Sequence, residues 1–303
     1  MEDAIKSLLK GLFDVGYSIW NAFIGVACKM FAASYHDSQT QELFNTAHTI
    51  FTVINRCTIP LAGLFFIIAI YKTVSSTPPE QQARKFMLDV LKYAIIIIIS
   101  YKLWDILGQV MDFTAGLTTE INGQAGSSEI NTDNNAVVSA INDLPLHFEN
   151  HGLRIDKYIG DALVIVLDIL IYFIGGLASI IILCATGLTV IGVAFERILK
   201  PLVILPFSAI VLGIGSCSGE GERMIWQYGK ALLGMLLSGA FMIVALKLGN
   251  TLFANYNLAS YLGDVGENSI VKGIVLVVSV DMEAIIITGL LKSMDSLVAK
   301  VFG

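Results

Sequence analysis

Few residues in this 303-residue chain are suited to chemistry. His147 and His151 stand four apart, a spacing at which two imidazoles on one helical turn can share a metal ion. Pro145 and Gly152 flank them, however, and mark a solvated loop instead. The other two histidines, His36 and His48, also lie outside the long apolar segments. Cys28, Cys57, Cys184 and Cys217 form no CxxC or Cys/His pattern, so neither a zinc site nor a disulfide framework is signalled, and they read as small buried apolar residues. There is no Walker A glycine loop, HExxH or GxSxG elbow, and Gly213-Ile-Gly-Ser lacks the preceding strand and third glycine of a dinucleotide fingerprint. No enzyme, cofactor or metal site is expected.

Ionisable side chains inside apolar stretches are the remaining candidates, because they are costly there and so mark function by default. Asp281 and Glu283 are the deepest acidic pair. Being two apart on a helix, they point to different faces and do not form a paired-carboxylate site. They read either as part of a proton or ion pathway or as packing partners for Lys247 or Arg56. Gly175 with Ser179, and Gly234 with Ser238, are small-xxx-small pairs that let helices approach closely.

These residues must be positioned by helices in a membrane. The composition is 55% hydrophobic and 15% charged, with the apolar residues gathered in blocks long enough to cross a bilayer core of roughly 30 Å, which excludes a soluble domain. A net charge of −6 argues against nucleic acid held on a basic face. The expected fold is all-α, a polytopic bundle of about five spans, with an amphipathic N-terminal helix and a re-entrant or interfacial segment.

Residues 1–48 form an N-terminal region in which Ile5, Leu9, Leu12, Phe13, Trp20 and Phe23 recur at helical spacing opposite Lys6, Lys10 and Asp14. This predicts a helix in the membrane interface, with a span over 11–31 as the rival reading. A first hairpin over 49–107 contains spans at 50–71, with Pro60 as a kink, and at 86–107, joined by a basic turn with Lys72, Arg84 and Lys85 that is expected to face the cytoplasm. Residues 108–157 are polar and poor in Lys and Arg, which predicts an extracytoplasmic loop.

A C-terminal bundle over 158–303 begins with an apolar run at 160–197. It is either one long helix, projecting outward so that Asp161 and Asp168 reach the headgroups, or two pieces broken at Gly175-Gly176. Pro201 and Pro206 then open the re-entrant or interfacial segment. Spans follow at 231–253 and 270–291, and Lys292 and Lys300 put the carboxyl end in the cytoplasm, with the amino end outside.

The segment 180–250 carries an apolar helix ending in Glu196-Arg197, then Leu199-Lys200-Pro201-Leu202, Pro206, a small-residue turn, Gly229-Lys230 and a Gly/Ala-rich span to Lys247. This resembles the central region of the VirB6/TrbL family, polytopic inner-membrane components of bacterial type IV secretion and conjugation systems. The resemblance implies a plasma-membrane subunit at the base of a channel for DNA or protein. It also implies a homo-oligomer beside other secretion subunits and ATPases, in transient contact with the transported DNA or protein. Glu196, Arg197, Lys200, Pro201, Pro206 and Lys230, with Asp281 and Glu283, become the candidates for assembly or the translocation path. A secondary transporter or ion-conducting protein is the competing reading, since Pro201 to Gly219 with Asp281 and Glu283 could supply a broken helix and buried charges, although the chain shows no repeated halves.

Overall fold

The computed structural model describes residues 2–35, 37, 38, 40–124, 136–144, 146, 155–215, 220–255 and 269–302, and among these there is no strand. The helices are α1 (Glu2–Ala32), α2 (Gln41–Asn55), α3 (Thr58–Ser76), α4 (Pro79–Gln124), α5 (Ala136–Asn142) and α6 (Ile155–Ile204). A 3-10 turn (Leu205–Phe207) leads to α7 (Ser208–Ile214), α8 (Glu220–Asn255) and α9 (Ser269–Phe302). Five helical stretches are long and apolar enough to cross a membrane: Glu2–Ala32, Thr58–Ser76, Ala162–Ile214, Gly221–Thr251 and Ile270–Val298. The protein is a multi-pass helical membrane protein.

The membership of that set differs from the sequence reading. The stretch expected to span at 50–71 is two helices, α2 and α3, separated at Arg56-Cys57. Pro60 has no amide hydrogen for the Arg56 carbonyl, so the ladder is interrupted one turn before the proline. Helix α4, which holds Ile95 to Ile99, is not among the five; Asp89, Lys92, Lys102 and Asp105 interrupt its apolar run. It starts with Pro79 in its first turn, where a missing amide hydrogen costs nothing, and continues to Gln124. Residues 108–124 are therefore helical, not loop, and their threonines bond back onto the helix, Thr114 to Met111 O at 2.8 Å and Thr118 to Thr114 O at 2.7 Å. His36, His147, His151 and Cys217 lie outside the described residues. None of the other cysteines is in a disulfide, and Cys57 is exposed where a buried residue was expected.

The chain divides into two compact units, to both of which α1, α6, α8 and α9 contribute. Unit 1 comprises residues 1–29, 124–194 and 243–293. In it Leu9, Phe13, Trp20, Ile24 and Ala27 of α1 are wholly buried at i, i+4, i+7 spacing. That face is turned onto α6. A Cβ at Gly176 would stand 3.1 Å from Leu12 Cβ, one at Gly16 would stand 3.1 Å from Leu183 Cδ1, and Gly187 meets Phe23. The contacts climb both helices together, so α1 and α6 run parallel. The helix is amphipathic as expected, but its apolar face is covered by protein and not by the interface. Helix α9 has the same relation to α6: Gly273 packs on Tyr172 and Gly175 on Val277. Helix α6 is continuous through Gly175-Gly176, which resolves the two sequence alternatives in favour of one helix.

Unit 2 comprises residues 30–123, 195–242 and 294–303. Its core gathers Phe44 and Phe51 of α2, Leu103 and Met111 of α4, Leu202 of α6, Ala209 of α7 and Leu236 of α8. The 3-10 turn packs on α2, and α7 on α3.

Candidate functional site

In unit 2, the residues from Glu196 to Pro206 form a junction around Arg197. Glu196 and Lys200 are exposed and pair with each other across one helical turn at 2.9 Å. Arg197, between them, turns inward and is only 1% exposed. Its Nη1 donates to the Met30 carbonyl at 3.4 Å, one of the last carbonyls of α1, where the helix dipole is negative. Its Cζ lies 5.7 Å from the centre of the Tyr35 ring, within cation–π range. A Cβ at Gly239 would stand 2.5 Å from Nε, 2.7 Å from Cζ and 2.8 Å from Nη2, so the guanidinium lies against bare backbone of α8. Burial pushes the Tyr35 phenol above its ordinary range, against the lowering pull of Arg197.

Pro201 was expected to force the chain out of the helix, yet it lies inside α6, and only at Leu205–Phe207 does the helix tighten into the 3-10 turn holding Pro206. Both prolines are buried. Nearby carbonyls are capped by side chains: Tyr228 donates to Ile204 O at 2.7 Å, Ser208 to Leu205 O at 2.6 Å, and Thr58 to Ala209 O at 3.1 Å. Irregular backbone at a membrane demands such partners. Lys230 is exposed and stands apart from this packing, whereas Gly234 and Ser238 are buried on α8.

In unit 1, Asp281 is buried on α9 and Glu283 is half-buried. Of the two cations weighed as its packing partners, Arg56 is exposed and lies in unit 2, whereas Lys247 is buried in unit 1. Ser179 of α6 lies beside the Asp281 carboxylate. Asp168, expected near the headgroups, is instead only 2% exposed, one turn from Tyr172 on the same face of α6. Lys247 and Asn250 of α8 are buried in the same unit.

Of the residues singled out from the sequence, Arg197 and the prolines lie together in unit 2, and Gly175, Ser179 and Asp281 in unit 1. Sequence reasoning missed Gly239, Tyr35 and Tyr228. Gly239 gave a signal, as a glycine inside a helical pattern implies close approach, but only the fold says that an arginine makes it. No family model, curated protein or solved structure matches the chain.

Proposed function

We propose that this chain is a channel-base or scaffold subunit of a bacterial type IV secretion or conjugation machine, seated in the plasma membrane with its amino end outside and its carboxyl end in the cytoplasm. It carries no catalytic group and assembles as a homo-oligomer beside other membrane subunits and ATPases. The observation that supports this most directly is the convergence of the residues behind the family resemblance. Arg197 lies on Gly239 in the Gly/Ala-rich span of α8, and Tyr228 of α8 donates to the Ile204 carbonyl between the two buried prolines. Spaced anchors without a joint purpose need not converge. The basic residues Arg197, Lys200, Lys292 and Lys300 support the orientation.

A secondary transporter or ion-conducting protein is the second reading, favoured by the buried Asp168, Lys247 and Asp281 of unit 1. The test is deletion of the gene in its host, with transfer of a mobilisable plasmid or secreted protein measured after complementation. Wild type and Lys72→Gln should restore transfer, while Pro206→Ala and Lys230→Gln, at equal membrane level, should restore much less. The wild-type chain in mild detergent should have a mass several times its own. Normal transfer in the deletion strain, or a strictly monomeric particle that supports transfer, overturns the proposal.

A further inference from the structure

We propose that Ser179 and Asp281 frame a site for a small, hard monovalent cation, sodium, within unit 1. The site rests on the membrane assignment and is independent of the secretion reading.

The hydroxyl groups of these helices are mostly spent on their own backbone. Ser279 donates to Leu276 O at 2.7 Å, Thr288 to Ala284 O at 2.8 Å and Thr186 to Ile182 O at 2.7 Å, which is how a hydroxyl normally satisfies itself in an apolar helix. Ser179 does not. It is wholly buried with the Asp281 carboxylate beside it, and apart from each other neither Ser179 Oγ nor Asp281 Oδ1 has a hydrogen-bond partner among the described residues. Two oxygens therefore converge across the parallel packing of α6 and α9 with unused bonding capacity. One turn earlier Gly175, without a side chain, meets Val277, so the helices are close where the pair sits.

A buried charge without a partner costs several kcal/mol, and native proteins remove that cost by pairing or by binding a cation. A single carboxylate balances a single positive charge, and carboxylate with hydroxyl is an all-oxygen donor set that suits hard cations and not transition metals. The ionisable groups on the helices packed around it are Asp168 and Tyr172 on α6, Lys247 on α8, Tyr17 on α1 and Glu283 on α9 itself. Asp281 lies near the middle of the span Ile270–Val298, so a cation there would be removed from both aqueous sides.

The full chain in mild detergent would be treated with dicyclohexylcarbodiimide, which reacts with protonated carboxyl groups in apolar surroundings, and modification of Asp281 followed by peptide mass spectrometry. The carboxyl hydrogen adds to one nitrogen of the reagent and the oxygen to its central carbon, leaving a stable acylurea after rearrangement. Asp281 should be modified. At fixed pH, protection by sodium but not by choline identifies the site, whereas loss of modification with rising pH alone, untouched by sodium, is what any buried carboxyl shows and overturns it. Ser179→Ala should move the half-protecting sodium concentration about tenfold, since a hydrogen bond to a charged group contributes roughly 1.5–3 kcal/mol. Ser179→Thr, which keeps the hydroxyl, should restore the midpoint, and Asp281→Asn should abolish the modified peptide. Absence of Asp281 modification, insensitivity to sodium, or an unmoved midpoint in a folded Ser179→Ala protein overturns the site. None of these readouts involves transfer, so their failure and that of the secretion reading are separable.

Discussion

At the scale of single residues, the charged group with most to explain is Arg197. A guanidinium taken out of water loses several kcal/mol of hydration, and what it receives here is a helix-terminal carbonyl, an aromatic face and a glycine that makes room. Gly239 is therefore as much part of the site as the arginine. Gly239→Ala should push the guanidinium off the α8 backbone and cost about 1–3 kcal/mol, the usual cost of overpacking, seen as a lower melting midpoint in mild detergent. Gly229→Ala is the comparison, as a glycine of the same helix with nothing within 4 Å of where its Cβ would stand. Equal midpoints for Gly239→Ala and wild type would show that the contact carries no constraint. The sequence displayed Arg197 at the end of an apolar run, where a snorkelling anchor is the natural reading. Its inward turn brings it to Met30, Tyr35 and Gly239, all far away in sequence, which no local pattern foretells.

At the scale of helices, the sequence was most informative about existence and least about ends. The run of Ile95 to Ile99 identifies α4, but the polar residues after Gly108 read as loop because composition reports solvation and not conformation. The break between α2 and α3 was foreshadowed by Pro60 and placed too far along. How helices pair was not legible, since Gly16, Gly175, Gly176 and Gly187 say only that something approaches. The parallel packing can be checked by cross-linking in a background without native cysteines. A Cβ at Gly175 would stand 3.4 Å from Val277 Cβ, and one at Gly176 would stand 3.1 Å from Leu12 Cβ, near the separation of disulfide-linked pairs. Gly175→Cys with Val277→Cys, and Gly176→Cys with Leu12→Cys, should oxidise readily, whereas Gly175→Cys with Val278→Cys should not. If the second pair fails to form while the first does, α1 does not lie along α6.

At the scale of the whole molecule, parallel packing constrains how often the chain crosses the bilayer. If α1 and α6 cross in the same direction, an odd number of crossings must separate them, and the same holds for α6 and α9. The five qualifying helices meet this condition, with α3 between the first pair and α8 between the second. The count also carries the basic turn holding Lys72, Arg84 and Lys85 to the side of the amino terminus, whereas charge alone assigned it to the cytoplasm. Labelling of intact cells with an impermeant maleimide decides between them. Asp3→Cys and Ser75→Cys should react and Ser38→Cys should not. A shielded Ser75→Cys, with Asp3→Cys and Ser38→Cys alike, would mean that α4 crosses and α1 stays on one side.

The shared direction of α1, α6 and α9 has an electrical consequence as well. In an antiparallel bundle the helix dipoles largely cancel, but in unit 1 these three add, each placing roughly half a positive charge at its start and half a negative charge at its finish. The side chains follow that polarity: Glu2 and Asp3 occupy the first turn of α1, while Lys29 closes α1 and Lys300 closes α9. Three such dipoles sum to roughly one and a half charges, which the oppositely directed α8 offsets in part, and a charge moved across 100 mV is worth about 2.3 kcal/mol. A bundle built this way is polarised along its axis, and its energy depends on the voltage of the membrane that holds it.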